Sequence, residues 1–116
     1  ELQNMDTTRQ KKIGRLIQQD MSEMFQREIR EMAMGSMVSV TLVKVTPDLA
    51  IARIYLSIFP SDRKEEVFNH IKENNSTIRY TLGKRAGKQL RIIPELEFYI
   101  DDSLDYIDNI DRLLNE

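Results

Sequence analysis

A chain of 116 residues with 41% hydrophobic content is long enough for one domain with its own core and too short for two. No apolar run approaches the roughly 18 residues of a membrane span, no signal-peptide pattern is evident, and the lack of cysteine excludes disulfide and thiolate chemistry, so a cytoplasmic, membrane-free protein is expected. The net charge of −2 conceals a division: residues 95–116 carry eight acids against Arg112 alone, or −7, while residues 1–94 carry 16 Lys and Arg against 11 acids, or +5.

Glu1 to Asn4 precede Met5 and read as a remnant ahead of the natural start, so a single domain is expected over residues 5–116. The stretch TTRQKKIGRLIQQDMSEMFQREIREMAMG predicts one helix, because Ile13, Ile17, Met21, Met24, Phe25, Ile29 and Met32 recur at spacings of three and four. Asp6 or Thr7 caps its start and Gly35 ends it, with Gly14 a weak point between them. The period then changes to two. Val38, Val40 and Leu42 alternate with Ser39 and Thr41, and Ala50, Ala52, Ile54, Leu56 and Ile58 alternate again after the turn residues Pro47 and Asp48. That predicts an antiparallel pair whose second strand, apolar on both sides, is central and stops at Pro60. Ser61 or Asp62 caps a second helix carrying Val67, Phe68 and Ile71 inward, and Asn74, Asn75 and Ser76 interrupt it. A third helix is expected from about Thr77 to Leu90, a third strand at LEFYI after Pro94, and a short last helix from Ser103. The order is α-β-β-α-α-β plus a terminal helix, an α+β domain.

Along the third helix Lys84, Lys88 and Arg91 recur opposite Ile78, Leu82, Ala86 and Leu90, with Arg85 to one side, and no acid lies between Ser76 and Pro94. Helical cations ordinarily intermix with acids, because pairs four apart help the helix. Such a stripe is either a solubilising face or a site for an external polyanion. Arg9, Lys11, Lys12 and Arg15 form a second cluster at a helix start, where the helix dipole favours anions, so they mark either a solvated start or arriving phosphates. Arg79 falls inside the apolar arc and reads as structural, paired with a carboxylate, rather than as an RNA contact.

Catalytic and metal chemistry find little support. GKRAGK has three residues between its glycines and Gln89 after Lys88, where a phosphate loop needs four and a Ser or Thr. DDSLDYIDNID lacks the glycine and final glutamate of a calcium loop, and His70 stands without cysteine or a second histidine. No enzyme, metal or cofactor is expected.

The element order, with a break between two helices of which the second is basic, resembles the type II KH architecture. More closely, VTPDLAIARIYLS, TIRYTLGKR and above all LRIIPELEFYIDDSL resemble the ribosome-binding factor A family of bacterial small-subunit assembly factors, over Thr8 to Leu114. An RNA-clamping KH domain carries a Gly-x-x-Gly loop, which is absent here, the glycines being at 14, 35, 83 and 87. The family instead has a helix-kink-helix usually marked Ala-x-Gly, and Asn74-Asn75-Ser76 stands at that place. The segment LGKRAGKQLRIIPEL is about two residues longer than the family's commonest form. The resemblance implies a monomer that binds immature 30S subunits and 16S rRNA near the decoding region late in maturation, alongside other assembly factors such as ribosome-associated GTPases. On that reading the charge clusters Lys84, Arg85, Lys88, Arg91, Arg9, Lys11, Lys12 and Arg15 are the candidate RNA-binding residues, while Arg79 and Pro94 are expected to be structural. The rival reading is an adaptor whose acidic C-terminal helix engages a basic ribosomal protein.

Overall fold

The computed structural model describes residues 6–101. The expected start at Met5 and the expected helix from Ser103 lie outside them.

Helix α1 (Thr8–Gln26) starts where it does because Thr7 and Gln10 cap each other. Thr7 Oγ1 accepts from the Gln10 backbone N–H at 3.1 Å, and the Gln10 side-chain oxygen accepts from the Thr7 N–H at 2.9 Å. Ile17, Met21, Met24 and Phe25 form its buried stripe. The helix is shorter than the apolar spacing predicts. It stops at Gln26, the Ile29 N–H reaches back to the Met24 carbonyl, and Arg30–Ala33 form a 3-10 turn instead. Ile29 and Met32 remain buried all the same, because a turn with three residues per cycle also returns every third side chain to one side. Gly35, with φ of +83°, follows Met34 at +51°, and this left-handed pair turns the chain into the sheet.

Strand β1 (Met37–Val45) pairs antiparallel with β2 (Ile51–Phe59), and β3 (Glu95–Ile100) pairs parallel with β2, so β2 is central. The connecting turn is held by Asp48, whose Oδ1 accepts from the Thr46 hydroxyl at 2.7 Å and the Ala50 N–H at 3.1 Å. Thr41 is the extra residue of a bulge, since Val40 pairs with Leu56 and Leu42 with Tyr55. Ala52, Ile54, Leu56 and Ile58 turn one sheet face into the core with Leu96 and Phe98. The opposite face carries Lys44, Arg53, Tyr55, Glu97 and Tyr99, with Tyr55 and Tyr99 stacked at 5.2 Å.

Helices α2 (Lys64–Glu73) and α3 (Asn75–Ala86) close the core with Val67, Ile71, Ile78, Leu82 and Ala86. The break between them is confined to Asn74, while Asn75 and Ser76 already belong to α3. Asn74 Nδ2 donates to the His70 carbonyl at 2.8 Å and Asn75 Nδ2 to the Leu96 carbonyl at 2.9 Å, so one amide closes α2 and the next ties α3 to β3. The result is a helix-kink-helix in a type II KH-like α+β fold without a Gly-x-x-Gly loop.

The outer edge of β1 is covered by α1 rather than by another strand. Gln10 Nε2 donates to the Val45 carbonyl at 2.8 Å, and Gln18 Nε2 lies 3.2 and 3.3 Å from the Val40 and Thr41 carbonyls. Gly14 sits between these two glutamines in the row spaced by four, and a Cβ there would lie 2.9 Å from the Val43 carbonyl oxygen. Intrinsic propensity favours alanine over glycine in a helix by about 1 kcal/mol. Gly14→Ala is nevertheless expected to lose about 1–3 kcal/mol in urea melts, because the clashing atom is backbone that moves only with β1. An alanine variant as stable as the parent would refute this account of the contact.

Candidate nucleic-acid interface

Sheet register puts the start of α1 and the entry to β3 at one end of the sheet. Val45 pairs with Ala52 and Ile51 with Glu95, so the end of β1, the start of β2 and the start of β3 share one end of the sheet. Helix α1 begins there, fixed by Gln10 on the Val45 carbonyl. The loop after α3 finishes there, where the Glu95 N–H donates to the Ala50 carbonyl at 2.8 Å. Arg9, Lys11, Lys12 and Arg15 are all exposed on α1, and Lys88 and Arg91 are exposed on the approach to Glu95. Lys44, which the sequence does not single out, is at the same end and pairs with Asp6 at 3.1 Å.

The single helical stripe expected of Lys84, Lys88 and Arg91 does not form, because α3 ends at Ala86. The N–H groups of Gln89 and Leu90 both reach the Ala86 carbonyl, at 2.9 and 3.0 Å, and Leu90 turns back into the core. Lys84 is therefore on the helix, Lys88 in the turn and Arg91 in the loop, all three exposed. Exposure, rather than helical phase, is what they share.

Arg85 departs from the other expected RNA-facing cations. It is one-fifth exposed and surrounded by carboxylates from α1 and the turn after it. Its Nη1 donates to Glu28 at 2.9 Å, its Nη2 donates to Glu23, and Nε lies 3.5 Å from Asp20, an ion-pair distance without hydrogen-bond alignment. The hydrogen bond to Glu28, more than any other neighbour, raises the Arg85 pKa, and the same bond lowers that of Glu28. This cation fastens α3 to α1. Sequence distance hides the arrangement, since the partners lie 57 and 62 residues away.

Arg79 bonds to carbonyls, where a carboxylate is expected. Its Nε donates to the Pro94 carbonyl at 2.9 Å and its Nη2 to the Ile93 carbonyl at 2.6 Å, and Pro94 itself is fully buried. The guanidinium thus bridges α3 to the residues just before β3. Beneath it runs a cleft of about 810 Å³ between α3 and β3, lined by Ser76, Tyr80, Gly83, Lys84, Ile93 and Leu96 among others. Tyr80 escapes the sequence reading; the available signal is an aromatic residue four positions before Lys84, outside the apolar arc.

Among the described residues no group of three or more His, Cys, Asp or Glu side chains could hold a metal ion, and no helix is long and apolar enough to cross a membrane.

The two arginines give separate expected outcomes. Arg79→Ala is expected to lower stability by about 1–2 kcal/mol without RNA, with Arg79→Lys recovering only part, since lysine lacks the two-pronged fork. An unshifted thermal melt for the alanine variant would mean that the carbonyl bonds contribute nothing. For Glu28 the folded pKa is below the ordinary 4.5, so its contribution is present above that value and is lost as pH falls through the depressed one. Arg85→Gln is expected to flatten that acid loss by no more than about 1 kcal/mol, the pair being partly exposed. Melts between neutral pH and about pH 3 read the difference.

A sequence profile of the family described as ribosome-binding factor A matches residues 9–114. The ribosome-binding factor A of Flavobacterium psychrophilum is 50% identical over 111 residues, covering 95% of this chain and 85% of the relative. That of Christiangramia forsetii is 49% identical over 108 residues, covering 92% and 82%. Among solved structures, the crystal structure of ribosome-binding factor A from Thermus thermophilus superposes with a TM-score of 0.65 at 16% identity, covering 78% of this chain and 94% of that one. A homology model of the Thermus thermophilus protein, fitted into a cryo-EM map of a 30S–RbfA complex, superposes with a TM-score of 0.50 at 16% identity, covering 71% and 96%. With the match running nearly end to end and identity near one half, the chain belongs to the ribosome-binding factor A family.

Proposed function

We propose that this ribosome-binding factor acts on immature 30S subunits, contacts 16S rRNA during late maturation, and works in the cytoplasm as a monomer without catalysing a reaction. The observation that supports the reading is the exposed cationic run Arg9, Lys11, Lys12 and Arg15, held by the Gln10 contact at the end of the sheet that the loop carrying Arg91 enters. Grouping like charges costs repulsion, which an arriving polyphosphate backbone offsets while releasing condensed counterions. Asp6, Asp48 and Glu95 lie at that end against Arg9, Lys11, Lys12, Arg15 and Lys44, so cations outnumber acids there. The 30S–RbfA complex recorded for the Thermus relative supports the choice of subunit.

The mechanism is electrostatic and steric. Bound protein favours one arrangement of rRNA over another only by its difference in affinity for the two, so the surface that recognises the immature arrangement must fit the finished one less well. Rigid placement of the cations by the sheet end suits this, because a fixed charge pattern discriminates between phosphate arrangements more sharply than a mobile tail.

Replacing Lys84, Lys88 and Arg91 with glutamine is expected to leave the melt unchanged and to reduce the salt dependence of RNA binding. The slope should fall by about 0.7 to 0.9 log unit for each phosphate that the variant no longer neutralises. Replacing Arg9, Lys11, Lys12 and Arg15 should act in the same direction. Equal co-sedimentation of the parent protein with immature subunits and with joined ribosomes, or an unchanged slope in both variants, would overturn the reading.

A further inference from the structure

The cleft between α3 and β3 has a feature that phosphate attraction does not explain. Tyr80 is 68% exposed at the middle of α3, where it shares the lining of the cleft with Ser76, Arg79 and Lys84. One turn on, Lys84 holds its Nζ 5.4 Å from the Tyr80 ring centroid. From the pairing of exposed ring and cation on the rim of an open cleft, we infer that Tyr80 is a stacking platform for an unpaired RNA base.

Comparison with the other aromatic residues isolates Tyr80. Tyr55 and Tyr99 stack on each other at 5.2 Å, and Tyr99 donates its hydroxyl to Glu97, so their faces are engaged and bordered by a carboxylate. Phe59 is exposed as well, but its cross-strand partner is Met37 and it belongs to the opposite end of β2 from the cations. Phe68 carries Lys72 at 4.9 Å but is half-buried against the core. Only Tyr80, among the described residues, combines an exposed ring, a cation over it and a cleft beside it.

The cleft's form fits a single strand rather than a duplex. Ile93 and Leu96 give it an apolar part, and at Gly83 an added Cβ would make ordinary contact with Ile93 at 3.6 Å. Its charged lining is Arg79 and Lys84 against Glu95, which favours a polyanion, while the apolar residues leave room for a base. A base in a duplex presents only its edge, whereas an unpaired base offers the face that stacks on an aromatic ring. Lys84 is then placed to meet the phosphate next to the stacked base. With no Gly-x-x-Gly loop to clamp backbone, the ring supplies the local hold on the strand.

This inference rests on the RNA-binding reading above, and its test separates the two. The probes are an oligoadenylate of about ten nucleotides and an RNA duplex of the same length, titrated against the full chain at several salt concentrations. Tyr80→Ala is expected to weaken oligoadenylate binding by about 5- to 100-fold with an unchanged salt slope, while Tyr80→Phe keeps parental affinity and duplex binding stays the same. The exposure of Tyr80 predicts unshifted melts for both variants. Parental oligoadenylate affinity in Tyr80→Ala, or an equal loss on the duplex, overturns the stacking role. If Lys88→Gln with Arg91→Gln weakens both probes while Tyr80→Ala weakens neither, stacking fails and the cationic reading stands. If the parent binds neither probe, both fail.

Discussion

Everything at the cationic end depends on how closely α1 lies along β1. A sheet edge exposes unpaired carbonyls that would otherwise recruit another strand. Here Gln10 and Gln18 donate to the carbonyls of Val45, Val40 and Thr41, and Gly14 lets the helix backbone approach the Val43 carbonyl between them. The contact also fixes position. Because Gln10 is simultaneously part of the helix cap and bonded to the end of β1, the first turn of α1 cannot slide, and Arg9, Lys11 and Lys12 are held at the sheet end where β3 begins.

The cations divide into those that hold the fold and those left to face a partner. Arg85 joins Asp20, Glu23 and Glu28 and so ties α3 to α1, and Arg79 ties α3 to the residues before β3. With α3 secured at Arg79 and Arg85, Tyr80 and Lys84 between them have fixed positions along the cleft. Removing a cation bonded within the fold should therefore appear first in stability, whereas removing an outward one should appear first in binding and its salt dependence. Neighbouring residues, Lys84 and Arg85, fall on opposite sides of that line. Their difference is not chemical type but whether carboxylates converge on them.

The kink shows how different side chains reach the same backbone outcome. A helix-kink-helix needs one residue out of helical geometry and a means of satisfying the groups left over. Asn74 supplies the departure, with φ of −103° and ψ of 24°, and its amide bonds to the His70 carbonyl. Asn75 then holds the new helix to β3. Side-chain amides thus do locally what an Ala-x-Gly sequence achieves through small size and backbone freedom.

The order of elements, the central place of β2, the turn at Pro47 and Asp48 and the break at Asn74 were legible in the sequence, because periodicity, turn chemistry and local hydrogen-bond competition act between residues close in the chain. Family membership was legible too, in LRIIPELEFYIDDSL and the segments before it. The length of α1 was not, since Ile29 and Met32 keep an apolar spacing that a helix and a 3-10 turn both satisfy. Nor was the fate of each arginine. Arg85 lies in the same cationic run as Lys84 and Lys88, and only the packing of α3 against α1 brings three acids to it. Sequence alone thus determined which residues carry charge and which seek the core, because those are properties of single side chains and their near neighbours. Tertiary structure decided which charges were neutralised, where the first basic segment was anchored and which ring stayed exposed, because each depends on groups that the chain separates by tens of residues and the fold sets side by side.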